Sequence, residues 1–239
     1  APQVTWGTSP EMVLSIDGRG VDRWVAGTAD LDARRRVWEV WRRVSRALQG
    51  ADGSEVRLRV RDDRAEREVR VRRVRPSGER IVLGDLPPFH VRVSERPIET
   101  PKGRAVGVIG FNVWMASANG AIADAVDRHR RASGLVLDLR GNPGGLAAMI
   151  RGVAGHLFTE PVNLGRMVTR DSELVFPVNP RIVMADGRPV VPFSGPVAIL
   201  VDELTASASE CFAGGLQSVR RARVFGRATA GQVLPASTR

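Results

Sequence analysis

Short apolar runs alternate with helical patterns along the second half of the chain. Three runs contain few polar side chains, as in strands buried on both faces of a parallel sheet: residues 106–114, 135–139 and 197–201. Between and after them, apolar residues recur every three or four positions, which predicts helices around residues 117–129, 146–157 and 207–217. Val224 and Phe225 indicate one more strand. The alternation predicts an α/β domain with a largely parallel core.

The first part of the chain has a different pattern. Residues 56–61 alternate valine or leucine with arginine, and the alternation returns at 69–71 after a turn at Asp62 and Asp63. This predicts a β-hairpin with one arginine-rich, solvated face. A strand at residues 12–16 is expected to precede it.

A helix is predicted over residues 30–49, between that strand and the hairpin. Its apolar residues form one stripe, with arginines on the other face: Leu31, Val37, Val40, Trp41, Val44 and Leu48. We therefore expect three regions in the chain. A small β-rich module covers residues 1–84, a linker and entry segment covers 85–105, and the α/β domain covers 106–239, with a polar, proline-rich excursion at 159–194.

Composition and charge narrow the classes of partner. The 239 residues are 43% hydrophobic and 26% charged, as in ordinary globular proteins. The net charge is +10, but the basic residues are nearly all arginine and are spread along the chain, with few aromatic residues for base stacking. These features argue against a nucleic-acid partner.

No segment has the length and apolarity of a membrane span. The apolar runs stay well below the roughly 18 residues of a transmembrane helix, and the first residues lack the basic and apolar segments of a signal peptide. The single cysteine, Cys211, excludes an internal disulfide and is expected to be a small core residue. The compartment stays undecided on these grounds.

Ser207 is predicted to lie on the turn between the 197–201 strand and the following helix. The first N–H groups of a helix have no intrahelical partner, so an oxyanion formed beside this hydroxyl would be stabilised. The alternative is structural, because Glu210 follows at the spacing of a capping box. Taken alone, the residues around Ser207 leave both interpretations open.

A second strand-to-helix turn has the sequence R-G-N-P-G-G at residues 140–145. Gly144 and Gly145 would let the backbone approach a ligand closely and leave N–H groups free at a helix start. Such pairs are often simple turns. Combined with Ser207, the pair supplies a second source of oxyanion donors for a nucleophile.

A serine nucleophile also needs a proton acceptor. Arginine stays protonated, and Lys102 is the only lysine. The acceptor must therefore be Lys102, a carboxylate or one of three histidines: His90, His129 and His156. We expect His129 at the edge of its helix face or solvated, and His156 at the buried edge of its helix.

Two motifs now indicate a family. LVLDLRGNPGG at 135–145 and VDELTASASECFAGGLQ at 201–217 closely resemble the C-terminal processing, or tail-specific, serine peptidases. The resemblance implies a ClpP/crotonase-like α/β catalytic domain preceded by a PDZ-like domain. It implies an endopeptidase that hydrolyses polypeptides near their C-termini, without cofactor or metal, exported to the bacterial periplasm or cell envelope. Its site residues here would be Ser207 as nucleophile, with the N–H groups of Ala208 and of Gly144 or Gly145 as oxyanion hole.

The first module carries a weaker resemblance. Residues 11–75 follow the order of the second half of a PDZ domain: a strand, an I-D-G turn, a helix, G-x-D-G-S and a hairpin. The loop that cradles a peptide carboxylate in such domains is not recognisable. Peptide binding by a PDZ-like module and a purely structural cap domain both remain open.

The chain departs from the lysine-dependent members at the position of the base. Their lysine follows the serine by 25 positions, and that position is Gln232 here. The tricorn and nisin-resistance type members instead pair the serine with a histidine before the first catalytic strand, where His90 lies. The resemblance thus implies His90 as base. A carboxylate that orients it would lie upstream or beyond residue 239, past which the domain is expected to continue.

Two alternatives differ in class from a protease. A catalytically silent relative would bind peptides or small apolar ligands in the same cleft. Gln232 in place of the family lysine and the incomplete first module favour this alternative. A crotonase-type acyl-CoA enzyme would share the fold, but no nucleotide pocket is recognisable in the sequence, and fold alone does not give function.

Overall fold

The computed structural model describes residues 12–62, 65–84, 88–168, 170 and 173–233. The chain divides into two compact units, the first ending at Ser77 and the second beginning at Gly78. Asp63, half of the predicted hairpin turn, lies outside the described residues.

The first unit is a four-stranded antiparallel sheet with two helices. The strands are β1 Met12–Ile16, β2 Arg19–Gly20, β3 Glu55–Arg61 and β4 Glu66–Arg72, in the order β2-β1-β3-β4. The helices are α1 Val21–Val25 and α2 Ala33–Leu48. The hairpin prediction is confirmed, because Val56, Leu58 and Val60 are buried while the arginines between them are exposed.

The predicted apolar stripe of α2 is only partly right. Val44, Ala47 and Leu48 pack against the small core of this unit, but Val37 and Trp41 are 37% and 36% exposed. The core contains only four fully buried apolar residues, so it covers the second half of this 16-residue helix and not the first. The likeness to a PDZ domain stays a prediction.

The second unit is built on a five-stranded sheet. Its order is β13-β12-β9-β8-β7, with β13, β12, β9 and β8 parallel and β7 antiparallel to β8. The strands of the unit are β5 Glu79–Ile81, β6 Phe89–Val91, β7 Val93–Glu99, β8 Ala105–Phe111, β9 Leu135–Asp138, β10 Val162–Val168, β11 Glu173–Val178, β12 Val197–Val201 and β13 Ala222–Gly226. The helices are α3 Ala118–Arg128, α4 Met149–Ala154, a 3-10 turn Gly155–Leu157 and α5 Ala208–Ser218.

Two segments of this unit are more ordered than the sequence suggests. The stretch expected to be a linker contains β6 and β7, and β7 is the antiparallel edge strand of the main sheet. Its residues are mostly exposed, so no apolar pattern marks it. The polar excursion contains the β10–β11 hairpin, whose pairing is irregular between Asn163 and Arg166.

The central strand β12 is buried on one face and half-buried on the other. Val197, Ile199 and Val201 are buried, whereas Ala198 and Leu200 are partly exposed. The expectation of burial on both faces is thus too strong for the described residues. Among those residues, no helix is both long and apolar enough to cross a membrane.

The parallel strands define two edges of the sheet. We call the edge where β8, β9, β12 and β13 end the carboxyl edge, and the opposite one the amino edge. At about 3.3 Å per residue, the seven-residue β8 separates them by on the order of 20 Å. In parallel α/β sheets, loops at the carboxyl edge form the ligand sites.

A buried histidine lies at the amino edge. His156 is 1% exposed, and neither ring nitrogen has a hydrogen-bond partner among the described residues. Burial first, and then the charges of Arg181 and Arg130, lower the pKa of His156 to about 4. The folded chain therefore holds this imidazole neutral near pH 7.

We expect folding stability to fall as the pH drops from about 6.5 to about 4. The unfolded chain protonates His156 near its ordinary pKa of 6.5, whereas the folded chain does so only near 4. The stabilisation is complete above the higher value and is lost towards the lower one, by about 3 kcal/mol. Urea unfolding at neutral pH and at about pH 4.5 measures this. His156→Leu should show a weaker pH dependence; equal dependence in both proteins would contradict the assignment.

Candidate active site

Ser207 occupies a strained turn between β12 and α5. Its φ of 52° and ψ of −119° are close to the first central position of a type II′ turn, which normally holds glycine. Holding a non-glycine residue there costs on the order of 1–3 kcal/mol. The conformation presents a half-buried serine at the carboxyl edge, directly before the first residue of the helix.

The capping interpretation of Ser207 accounts for only part of the arrangement. Ser207 and Glu210 stand in a capping-box arrangement, and the Glu210 carboxylate accepts the Ser207 N–H at 2.9 Å. The Glu210 N–H also donates to the Ser207 carbonyl oxygen at 2.9 Å. The helix start therefore has a main-chain hydrogen bond that does not depend on the hydroxyl.

The glycine turn lies directly against Ser207. Gly144 and Gly145 have φ of 100° and 135°, and a Cβ on Gly144 would stand 2.7 Å from the Ser207 Cβ and 3.1 Å from the Ala208 nitrogen. A Cβ on Gly145 would collide with the Trp114 backbone. Only glycine fits at both positions, because the turn is packed between these two neighbours.

Trp114 links the glycine turn to α5. Its N–H donates to the Gly144 carbonyl and its carbonyl accepts the Leu146 N–H, both at 2.8 Å. Its indole Nε1 donates to Ser209 Oγ at 2.9 Å, inside the core. The ring is fully buried and lies 5.0 Å from that of Phe212. One residue, through its main chain and its indole, therefore fixes the spacing between the glycine turn and α5.

Asn142 and Asp202 hold the two turns from the other side. Asn142 is fully buried, donates to the Phe111 carbonyl at 2.8 Å and accepts the Gly144 N–H at 2.9 Å. Asp202 Oδ1 accepts the Gly141 N–H at 2.9 Å and the Leu204 N–H at 3.1 Å. The bond between Gly141 and Asp202 ties the loop after β9 to the loop after β12, and the bond from Asn142 to Phe111 ties the loop after β9 to the end of β8.

The N–H groups of Gly145 and Ala208, which lie where the two turns adjoin, have no acceptor within the described chain. The Gly144 N–H, in contrast, is already bonded to Asn142. Of the two glycines in the expected oxyanion hole, Gly145 is thus the one with a free donor. Unpaired backbone donors beside a serine are the arrangement that binds an oxyanion.

The fold separates the predicted bases into two groups. Lys102 lies in the turn before β8 and His129 packs on Gly107, the third residue of β8, so both are at the amino edge. His156 is at the same edge, since its carbonyl accepts the Phe193 N–H and the Phe193 carbonyl is bound by Arg221, which precedes β13. Ser207 is at the opposite edge, out of their reach.

His90 lies at the carboxyl edge. It belongs to β6, which directly precedes the start of β7, and β7 begins opposite Phe111, the last residue of β8. Asn112 holds it there, because its Nδ2 donates to the His90 carbonyl at 2.8 Å. The imidazole is half-buried and forms no side-chain hydrogen bond with any described residue, Ser207 included.

The remaining polar groups near Ser207 already have partners or are protonated. Burial raises the pKa of the Cys211 thiol, and the nearby Glu210 raises it further, so this cysteine is not a thiolate nucleophile near neutral pH. Hydrogen bonding to Asp138 raises the pKa of Arg140. The N–H of Gln232 donates to Glu210 at 2.9 Å, which places position 232 near the start of α5.

Sequence reasoning missed the residues that hold the site together. Trp114 contacts Ser209 across 95 positions and Asn142 contacts Phe111 across 31, so local pattern does not reveal either role. The motifs contain Asn142 and Asp202, but nothing in their spacing shows which atoms they bind.

Several proteins are similar to this chain. A chloroplastic carboxyl-terminal-processing peptidase 2 of Arabidopsis thaliana is 30% identical over 191 residues, which are 77% of this chain and 33% of that protein. A carboxyl-terminal-processing protease of Picosynechococcus sp. is 30% identical over 230 residues, which are 94% of this chain and 46% of that protein. The chain thus spans a third to just under half of the length of these relatives.

The solved structures agree on the fold. A photosystem II D1 C-terminal processing protease has a TM-score of 0.53 at 21% identity, covering 93% of this chain and 52% of that one. Mature CPAF has a TM-score of 0.56 at 15% identity, covering 95% and 65%. The profile of Peptidase family S41 matches residues 105–239, which is more than half of the chain. The family predicted from the two motifs is therefore confirmed: this protein belongs to Peptidase family S41.

Proposed function

We propose that the protein is a serine endopeptidase that hydrolyses peptide bonds of polypeptides near their C-termini. One observation carries the proposal: Ser207 stands at a strained strand-to-helix turn beside two unpaired N–H groups, those of Ala208 and Gly145. The names of the relatives in Arabidopsis and Picosynechococcus, which refer to carboxyl-terminal processing, support the substrate class.

In the proposed reaction, Ser207 Oγ attacks the carbonyl carbon of the scissile bond while a base takes its proton. The carbonyl electrons move to the oxygen, which binds to the N–H groups of Gly145 and Ala208. The tetrahedral intermediate then expels the amine, which receives the proton from the base and leaves an acyl-enzyme. Water activated by the same base releases the second product.

We propose His90 as that base. It is the only one of the three histidines at the carboxyl edge, and Asn112 anchors its main chain there. A neutral imidazole is chemically adequate to accept a serine proton. The other three candidates, Lys102, His129 and His156, lie at the amino edge.

The carboxylate nearest to Ser207 is not suited to be the base. Glu210 already accepts four hydrogen bonds, and a carboxylate offers about four acceptor positions.

The catalytically silent alternative is not favoured, because the relatives are named as peptidases and proteases.

For the first unit we propose a PDZ-like role in holding a substrate peptide. The order of β1, α2, β3 and β4 supports it, while residues 1–11 lie outside the described chain. Chemical-shift changes confined to residues 12–77, on adding a peptide with a free carboxyl end, would test it.

We further propose a bacterial periplasmic or envelope location, on the basis of the family resemblance. Cell fractionation would test this location.

Ser207→Ala should abolish cleavage of an unfolded polypeptide without changing the fold. The substitution removes the nucleophile, and the helix start keeps its main-chain hydrogen bonds. Peptide release and labelling by a fluorophosphonate probe measure the loss. Ser218→Ala, in the last turn of the same helix, is the matched control and should keep wild-type rates. Absence of cleavage and labelling in the wild-type protein would sink the proposal.

His90→Ala should lower kcat by about 100- to 10,000-fold, the usual range for loss of a general base. Substrate binding is less affected, so KM should change little. His129→Ala serves as control, because that side chain packs at the amino edge. Comparable losses in both variants, or none in His90→Ala, would show that another group takes the proton.

Gly144→Ala should reduce fluorophosphonate labelling by about 100-fold. The added Cβ would press on the Ser207 Cβ and displace the Ala208 N–H from its position. Gly187→Ala is the matched control: it also has a positive φ, of 81°, but no atom within 4 Å of the new Cβ. Thermal unfolding of both variants separates a general loss of stability from a local effect on the site. Wild-type labelling of Gly144→Ala would contradict the close packing.

A further inference from the structure

The carboxylate of Glu210 accepts hydrogen bonds from two segments that are distant in sequence, the Ser207 turn and residues 229–232. It lies in the first turn of α5, three residues after Ser207. Its Oε1 accepts Thr229 Oγ1 at 2.6 Å and the Gly231 N–H at 2.7 Å. Its Oε2 accepts the N–H groups of Ser207 and Gln232, each at 2.9 Å. All four acceptor positions of the carboxylate are in use.

This arrangement fixes how far position 232 lies from the nucleophile. The backbone nitrogens of Ser207 and Gln232 bind the same oxygen atom, so they lie no further apart than twice 2.9 Å. The main chain at position 232 therefore lies beside the Ser207 turn, although it is 25 positions away in sequence.

The role goes beyond that of a helix cap. A capping box needs only the bond from Glu210 to the Ser207 N–H. The other three bonds reach residues 19 to 22 positions away, in a segment that is neither helix nor strand. Apart from these, residues 228–233 have one backbone hydrogen bond in the described chain, from the Ala230 N–H to the Thr205 carbonyl at 3.0 Å.

Both attachments of this segment lead to the turn that carries Ser207. Thr205 precedes the serine and Glu210 follows it, so the segment is hydrogen-bonded to the main chain before Ser207 and to a side chain after it. Hydrogen bonds to a carboxylate are stronger than those between neutral groups. Because Glu210 supplies three of the four fastening bonds, it has the larger share in holding the segment.

We propose that Glu210 is a positioning residue that clamps residues 229–232 against the Ser207 turn and so holds both segments in place beside the nucleophile. This rests on the proposed function only as far as the effect on catalysis is concerned. The clamp itself is a statement about which N–H groups are protected.

Glu210→Gln tests the clamp with little change of size. The amide keeps one oxygen but replaces the other by an NH2 group, which cannot accept from N–H donors. With the NH2 group at the Oε2 position, the bonds to the Ser207 and Gln232 N–H groups are lost. With it at the Oε1 position, the bond to the Gly231 N–H is lost, while the Thr229 hydroxyl can turn to accept. We expect kcat of peptide cleavage to fall about 100-fold, as for a small displacement of catalytic groups, with a smaller change in KM.

Glu203→Gln is the matched control. It makes the same chemical change seven positions earlier, on a carboxylate that pairs with Arg227. It touches neither Ser207 nor the 229–232 segment through its side chain. We expect its kcat and labelling rate to equal those of the wild-type protein.

Hydrogen exchange of single amides provides a readout that an ordinary capping role would not move. In Glu210→Gln either the Gly231 or the Gln232 amide, whichever faces the NH2 group, loses its acceptor and should exchange at least about 10-fold faster. The Ala230 amide, bonded to Thr205, should change less. Unchanged exchange at Gly231 and Gln232 would overturn the proposal, whatever happens to activity.

Thr229→Val covers the case in which Glu210→Gln fails to fold. It removes one donor to Oε1 and leaves α5 intact. We expect faster exchange at Gly231 and a loss in kcat smaller than that of Glu210→Gln, and in the double variant the two losses should be less than additive. If the losses in kcat were fully additive, or if Thr229→Val changed neither exchange nor kcat, Glu210 would be only a helix cap and the proposal would be wrong. If the wild-type protein cleaves nothing, the proposed function fails while the exchange data still decide the clamp.

Discussion

The contact between Gly144 and Ser207 is the constraint on which the rest of the site depends. The Ser207 turn and the glycine turn belong to loops after different strands, and they touch so closely that no Cβ fits between them. This contact requires β9 and β12 to be parallel neighbours in register, which the pairing of Val197 with Leu135 provides. It also requires a buried brace underneath, which Trp114 supplies through both its main chain and its indole.

The parallel sheet explains why the chemistry gathers at one edge and not elsewhere. Each of the strands β8, β9, β12 and β13 delivers its following loop to the same side. The loops bind one another through Asp202 and Glu210, whose side-chain oxygens accept backbone N–H groups of neighbouring loops. Asn142 adds a link to the end of β8, because its Nδ2 donates to the Phe111 carbonyl. Side-chain acceptors thus replace the hydrogen bonds that irregular backbone would otherwise lack. The result is an interlinked set of turns on which the N–H groups of Gly145 and Ala208 have no acceptor within the described chain.

Much of the architecture could be predicted from local pattern. The runs at 135–139 and 197–201 form strands, the alternation at 56–61 forms a hairpin, and the turn before α5 carries Ser207 as expected. Periodicity failed where burial is incomplete: β7 exposes most of its side chains, and the first half of α2 has no core beneath it. It also could not reveal contacts made across tens of positions, such as those of Trp114 and Asn142. The resemblance already implied His90 as base, and the strand order adds that His90 lies at the same edge as Ser207 while the other two histidines do not.

The backbone angles of Ser207 lower the stability of the fold, because a residue other than glycine is strained there, while the proposed reaction needs the serine hydroxyl. A glycine would adopt that conformation without strain, so selection for a more durable fold alone would favour losing the hydroxyl. On the proposed function, the serine is kept there for its hydroxyl, at a cost in stability. Position 207 is therefore a marker for lineages in which selection for that hydroxyl has lapsed: a homologue with glycine there would keep the architecture, gain in robustness and have given up the reaction.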